Sequence, residues 1–125
     1  MSAGKILVVD DEREVRLVIQ EFLTGRGYEV RAAANGLEAL ATLETFVPDV
    51  VLLDMAMPEM DGLETLKHVT ALYPNLPVIM VTVNADIETT SKVLQLGAAD
   101  YVPKPVDLDY LDQAVSIQIS AGRDR

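Results

Sequence analysis

The stretch VVLLD at residues 50–54 places four apolar residues in a row and then an acid. Successive side chains of a β-strand point to opposite faces, so a run without polar alternation predicts a strand that is covered on both sides. Residues 6–9 and 78–81 form similar runs, and residues 28–33 and 101–102 complete a set of strand-length segments. Strands of this kind are typical of a parallel sheet that lies between two layers of helices.

Between these runs, apolar residues recur with the period of an α-helix. The first segment has apolar residues at the helical spacing of three or four, namely Val15, Val18, Ile19 and Phe22. Similar apolar stripes lie in the later segments between the predicted strands. The alternation predicts an α/β fold, a single (βα)5 flavodoxin-like three-layer domain with a parallel five-stranded sheet. The common strand order for such a sheet is 2-1-3-4-5, with a ligand crevice at the carboxyl ends of strands 1 and 3.

Helix boundaries are marked by residues suited to N-caps. Asn35 and Asp61 are each followed three residues later by a glutamate, as in a capping box, and this role fully explains Asp61. Asp86 and Asp107 are predicted to cap the fourth and fifth helices.

The length of 125 residues predicts one domain that spans residues 1–125, with a core from about 5 to 119 and a frayed tail at 120–125. The absence of cysteine excludes a disulfide framework, a thiolate metal site and a cysteine nucleophile. A net charge of −10 disfavours direct binding to nucleic acid or to an acidic membrane surface. The first apolar run is too short to cross a bilayer and lacks a signal-peptide cleavage region, so we expect a cytoplasmic protein.

Polar residues follow the predicted strands at the points where the strands end. Asp10 and Asp11 follow the first strand, Asp54 ends the third, Thr82 ends the fourth and Lys104 follows the fifth. The predicted topology brings these ends to one rim and places Asp54 beside Asp10 and Asp11.

Three carboxylates in one crevice repel one another and require positive charge, and one lysine supplies a single charge. An oxygen-seeking divalent cation is therefore expected, and Mg²⁺ suits such a site because it also binds phosphate oxygens. A carboxylate can act as a nucleophile and form an aspartyl phosphate. Asp54 is the best nucleophile candidate because it stands alone between the acidic pair and the Lys104 and Thr82 side.

Together these residues resemble the receiver domain of bacterial two-component response regulators. The matching pieces are VVDD at 8–11, LLDMAMPEMDG at 52–62, VT at 81–82 and GAADYVPKP at 97–105. The resemblance covers residues 5 to about 119, and four pieces in order at the expected spacing make a specific signal.

The resemblance implies a role for each matching residue. Asp54 is expected to be the phosphoacceptor, and Asp10 and Asp11 are expected to hold Mg²⁺ (or Mn²⁺) together with Asp54 and the backbone carbonyl of Ala56. Lys104 is expected to contact the phosphoryl group.

The resemblance also implies the elements of a switch. Thr82 is expected to move to bond the phosphoryl group, and Tyr101 is expected to change rotamer with it. Members of the family commonly have a cis peptide before the proline at Pro105.

The resemblance further implies a signalling domain rather than an enzyme, with phosphoryl transfer to itself and slow autodephosphorylation. Its partners would be a sensor histidine kinase or a histidine phosphotransfer protein, which supplies a phosphohistidine. The surface of helix 4, strand 5 and helix 5 would act on an effector domain or a downstream protein, or form a phosphorylation-dependent homodimer. Lys92 and Asp100 are available there, but residues 105–122 contain no basic residue, which disfavours the usual reciprocal charge pairs.

One departure from the family pattern is Val83, because the residue after the conserved hydroxyl is usually small. A branched side chain there is expected to impede loss of phosphate from Asp54. Ala56 and Asn84 occupy other variable positions that tune this lifetime in the family.

Two other function classes compete with this interpretation. A Mg²⁺-dependent phosphatase or phosphotransferase with an aspartate nucleophile typically carries an Asp-x-Asp pattern after its first strand, whereas this chain has Asp10-Asp11-Glu12. A flavodoxin-like binding module for a phosphate ligand would need a phosphate-binding loop where acids stand here. His68, the single histidine, is predicted to be a surface residue of the third helix.

Overall fold

The computed structural model of the chain describes residues 3–57, 60–83 and 86–123, and strands and helices alternate along them. Pro58 and Asn84, which belong to the sequence motifs above, lie outside the described residues, as do residues 124–125. The elements are β1 (Lys5–Val9), α1 (Arg13–Gly25), β2 (Glu29–Ala33), α2 (Gly36–Leu43), β3 (Val50–Asp54), α3 (Gly62–Leu72), β4 (Val78–Thr82), α4 (Ile87–Gln95), β5 (Asp100–Pro103) and α5 (Leu108–Arg123).

The strands form a five-stranded parallel sheet in the order β2-β1-β3-β4-β5, as the sequence predicts. In the register, Val9 lies opposite Leu53 and Asp54 lies opposite Val81. The carboxyl ends of β1, β3 and β4 therefore lie side by side at one edge of the sheet.

The sheet separates two apolar cores, because alternate residues of each strand face opposite sides. Leu7 and Leu53 belong to the core that packs against α2, α3 and α4. Ile6 and Leu52 belong to the core that packs against α1 and α5. Both sides of the central strands are buried, which explains why their sequences are apolar without alternation.

All four predicted N-caps are present. Each side chain accepts a hydrogen bond from the backbone N–H three residues further on, at 2.8 Å for Asn35 and Asp61, 2.7 Å for Asp86 and 3.1 Å for Asp107. A cap of this type stabilises a helix by about 1 kcal/mol.

The segment expected to fray, residues 120–125, is described only as far as residue 123. Helix α5 continues to Arg123, whose Nη2 donates a hydrogen bond to the backbone oxygen of Ala3 at 2.9 Å. This contact joins the two ends of the described chain. No helix among the described residues is long and apolar enough to cross a membrane.

Gly62, the first residue of α3, lies directly against the end of β3. A β-carbon at this position would overlap the backbone oxygen of Asp54 and lie 2.5 Å from the Cα of Met55. The N–H of Gly62 donates to the backbone oxygen of Met55 at 2.8 Å. Glycine therefore allows α3 to begin against the segment that carries Asp54.

Replacement of Gly62 by alanine is expected to destabilise the fold by about 1–3 kcal/mol, because the new methyl group meets backbone rather than a flexible side chain. Urea unfolding at equilibrium measures the change. Gly25→Ala is the matched control, since nothing lies within 4 Å of a β-carbon there. Equal stability of the Gly62→Ala and wild-type proteins would contradict the close packing.

Candidate functional site

The predicted rim residues meet at the carboxyl edge of the sheet. Asp10 directly follows β1, Asp54 is the last residue of β3, and Lys104 directly follows β5. Backbone hydrogen bonds extend the sheet to the residues after the strands, from Asp10 N to Ala33 O at 3.2 Å and from Lys104 N to Thr82 O at 2.8 Å. The sheet itself therefore fixes where these side chains begin.

The ammonium group of Lys104 lies between two buried carboxylates. Its Nζ is 2.9 Å from Oδ2 of Asp10 and 3.2 Å from Oδ1 of Asp54. Asp10 is 2% exposed and Asp54 is 4% exposed, so both charges lie almost out of water. The peptide bond between Lys104 and Pro105 is cis, as the family resemblance implies.

The electrostatics of the site follow from this burial. Desolvation, followed by the negative charge of Asp10, raises the pKa of Asp54 from 3.8 to about 6, although Lys104 acts in the opposite direction. A hydrogen bond with Asp11 also raises the pKa of Asp54. Burial alone would lower the pKa of Lys104, but its contacts with Asp10 and Asp54 outweigh this and raise it. The carboxylates thus carry more negative charge than one lysine compensates.

A group of acids beside Lys104 provides oxygen ligands for a cation. One carboxylate oxygen from each of Asp10, Asp11 and Glu12 lies within 4.8 Å of the others. Asp11 and Glu12 are exposed, whereas Asp10 is buried, so the group opens toward solvent. An all-oxygen donor set with room for water suits a hard divalent cation such as Mg²⁺.

Glu12 is a member of this group that the sequence interpretation did not assign. Its Oε1 is 3.7 Å from Nζ of Lys104. Its backbone N–H donates to Oδ1 of Asp10 at 2.9 Å, and Nη1 of Arg16 donates to the backbone oxygen of Asp10 at 2.7 Å. The start of α1 therefore holds Asp10 by both its carboxylate and its backbone oxygen. The sequence signal for Glu12 is its position directly after Asp11.

Thr82 is buried at the end of β4, and its hydroxyl donates to Sδ of Met55 at 3.8 Å. Asp54 lies opposite Val81, so Thr82 lies one position further along the neighbouring strand. The sequence pattern does not predict this contact, because it depends on the rotamer of Met55.

The remaining predicted residues occupy more open positions. Tyr101 on β5 is half-buried and packs against the core on the α2, α3 and α4 side. Ala56 is exposed in the segment after Met55. His68 is exposed on α3, as predicted.

Comparisons with known proteins find similar sequences and similar structures. A family model of the response regulator receiver domain matches residues 6–116. The DNA-binding transcriptional regulator NtrC of Salmonella typhimurium is 43% identical over 109 residues, which cover 87% of this chain and 23% of NtrC. The regulatory protein AtoC of Escherichia coli is 44% identical over 114 residues, which cover 91% of this chain and 25% of AtoC. The chain therefore spans about a quarter of the length of these relatives.

Solved structures of similar chains share the fold. NtrX from Brucella abortus superposes with a TM-score of 0.91 at 32% identity, covering 98% of this chain and 28% of NtrX. A CheY-like response regulator receiver domain from Methanospirillum hungatei superposes with a TM-score of 0.92 at 32% identity, covering 98% of both chains.

The electrostatics of the rim predict how stability depends on pH in metal-free protein. The pKa of Asp54 is higher in the folded chain than its ordinary value, so the folded protein binds a proton on Asp54 more tightly than the unfolded protein does. The free energy of unfolding therefore falls as the pH rises from about 4 through about 6. Asp54→Asn removes this loss. We expect it to raise the free energy of unfolding at about pH 7 by roughly 1–3 kcal/mol, with little change at about pH 4.

Chemical denaturation in the presence of a chelator at both pH values measures this difference. Asp107→Asn is the matched control, because asparagine caps a helix as well as aspartate. Destabilisation by Asp54→Asn at about pH 7, or an equal gain at both pH values, would contradict the interpretation.

Proposed function

The chain belongs to the response regulator receiver domain family, and we propose that it takes up a phosphoryl group on Asp54 in two-component signalling. The observation that carries this proposal is the contact of Lys104 Nζ with Asp54 Oδ1 at 3.2 Å, next to the acids of the β1 end. A nucleophilic carboxylate, a lysine for a phosphoryl oxygen and oxygen ligands for a cation then lie at one edge of the sheet.

The donor in this proposal is a phosphohistidine of a sensor histidine kinase or of a histidine phosphotransfer protein. An Asp54 carboxylate oxygen attacks phosphorus in line with the leaving imidazole nitrogen. The new O–P bond forms as the N–P bond breaks, and the bonding electron pair leaves with the imidazole. Deprotonated Asp54 is the reactive form, and Lys104 favours it because the ammonium group stabilises the negative charge.

Asp10, Asp11, Asp54 and the backbone carbonyl of Ala56 are the proposed ligands of Mg²⁺ (or Mn²⁺). When bound, the cation would neutralise charge on the phosphoryl oxygens. Lys104, whose Nζ lies 2.9 Å from Oδ2 of Asp10, would pair with another phosphoryl oxygen. The product remains covalently attached to the chain, and we propose slow autodephosphorylation rather than catalytic turnover.

The switch in this proposal starts at Thr82, whose hydroxyl bonds the new phosphoryl oxygens, and passes to Tyr101 and the surface of α4, β5 and α5. About 5.5 kcal/mol of differential stabilisation converts a mostly inactive population into a mostly active one. Charge-assisted hydrogen bonds contribute about 1.5–3 kcal/mol each, so a few of them supply most of this amount.

The proposed output is contact with an effector domain or a downstream protein, or a phosphorylation-dependent homodimer. NtrC is a DNA-binding regulator about four times as long as the segment that matches this chain. With a net charge of −10, this chain is proposed not to contact nucleic acid or membranes directly.

Incubation with acetyl phosphate and Mg²⁺ is expected to add one phosphoryl group to the chain, detected by intact-protein mass spectrometry. Asp54→Asn should abolish the adduct because the amide is not a nucleophile. Asp61→Asn, an acid-to-amide change that keeps an N-cap on α3, should leave it in place. Chelation of the metal should reduce the yield.

Each alternative class predicts a different result in this experiment. Repeated release of inorganic phosphate without a retained adduct would support an enzyme. The absence of both adduct and release would support a binding module. An adduct that persists in Asp54→Asn would contradict the assignment of the acceptor.

Val83 is 76% exposed and directly follows Thr82. We expect Val83→Ala to speed the loss of phosphate from Asp54 several-fold, because a smaller residue opens the path of an attacking water. The decay of the phosphorylated chain after removal of the donor measures the rate. Val47→Ala, which removes an equally exposed valine (75%) from the loop before β3, is the control. Unchanged or slower decay in Val83→Ala would contradict the role.

A further inference from the structure

The Thr82 hydroxyl has one proton to donate, and the thioether of Met55 is one acceptor within its reach. The distance from Oγ1 to Sδ is 3.8 Å. A hydroxyl carries a single O–H donor, so Thr82 cannot donate to this sulfur and to a phosphoryl oxygen on Asp54 at the same time. Met55 and the phosphoryl group are therefore competing acceptors for one proton.

The backbone of Met55 is fixed on both sides. Its N–H donates to the backbone oxygen of Val81 at 3.2 Å, and its own oxygen accepts from the N–H of Gly62 at 2.8 Å. The side chain is half-buried and packs against the core on the α2, α3 and α4 side. The backbone of Met55 therefore cannot shift without breaking these bonds, and its sulfur lies beside Thr82 of β4.

We propose that Met55 is a positioning residue that holds the Thr82 hydroxyl in its unphosphorylated arrangement and thereby sets how readily the chain switches. The inference rests on the proposed function, since it concerns the response to a phosphoryl group on Asp54. A thioether is a weak acceptor, whereas a phosphoryl oxygen is charged and forms the stronger kind of hydrogen bond. Met55 thus restrains Thr82 in the resting chain and releases it when Asp54 is modified.

Tyr101 packs against the same core as Met55. Thr82 follows Val81, which faces the opposite core, so Thr82 lies on the same side of the sheet as Met55 and Tyr101. A change in the position of Thr82 therefore alters the packing on the side of the sheet that contains Tyr101. The restraint at Met55 acts on the movement of Thr82, which precedes the change at Tyr101.

The test replaces the acceptor while preserving the size of the side chain. Met55→Leu conserves volume and removes the sulfur, and Met55→Gln has similar length and offers an amide oxygen, which is a stronger acceptor. Met57→Leu is the matched control, because Met57 is 9% exposed and packs in the same core. The probe is beryllofluoride, which mimics a phosphoryl group on Asp54, in the presence of Mg²⁺.

The apparent Kd for beryllofluoride is measured by titration of the amide resonance of Tyr101. The apparent affinity of a ligand depends on the population of its competent state. We expect Met55→Leu to tighten binding by about two- to fivefold, in the lower part of the range for one net hydrogen bond. Met55→Gln should weaken it, and Met57→Leu should match the wild-type protein. The Kd for Mg²⁺ alone should stay the same in all three variants.

A packing role for Met55 alone would move both variants in the same direction or change the affinity for Mg²⁺, and either result would overturn the inference. Wild-type affinity in Met55→Leu would overturn it as well, even though Asp54 is phosphorylated normally. Failure of wild-type protein to bind beryllofluoride and to accept phosphate would instead remove the proposed function and the inference with it.

Discussion

The functional site depends on one ammonium group held between two buried carboxylates that come from different strands. Lys104 contacts Asp10 and Asp54 at 2.9 and 3.2 Å, and these two acids are almost completely buried. Two like charges so close together in a poorly hydrated place are unfavourable, and a single lysine relieves this only in part. Burial and then the negative charge of Asp10 raise the pKa of Asp54, and the excess of negative charge favours the binding of a cation at this edge of the sheet.

The sheet and the helix ends make this arrangement possible because they fix the backbone from which the site side chains extend. The parallel sheet brings β1, β3 and β5 to one edge, and the close contact of Gly62 with the end of β3 places α3 directly against the segment that follows Asp54. The first turn of α1 and Arg16 hold Asp10 by its carboxylate and its backbone oxygen. Stability is therefore supplied by the strands and helix ends, and the rim itself contributes electrostatic strain.

Much of this could be predicted from sequence because it depends on local periodicity and on topology. The uninterrupted apolar runs predicted buried parallel strands, and the residues after them predicted which side chains meet. The N-caps at Asn35 and Asp61 could be identified because they depend on residues only three positions apart. Contacts made by the ends of long side chains could not be predicted in this way. Glu12 beside Lys104, Met55 beside Thr82 and Arg123 at Ala3 each depend on a rotamer that only the assembled structure selects.

The two cores on opposite sides of the sheet contain different parts of the molecule. Met55 and Tyr101 pack against the core shared with α2, α3 and α4, whereas α1 and α5 enclose the other core. A substitution among the buried residues of the α1 and α5 layer can therefore change the packing there without touching the side chains of Met55 and Tyr101.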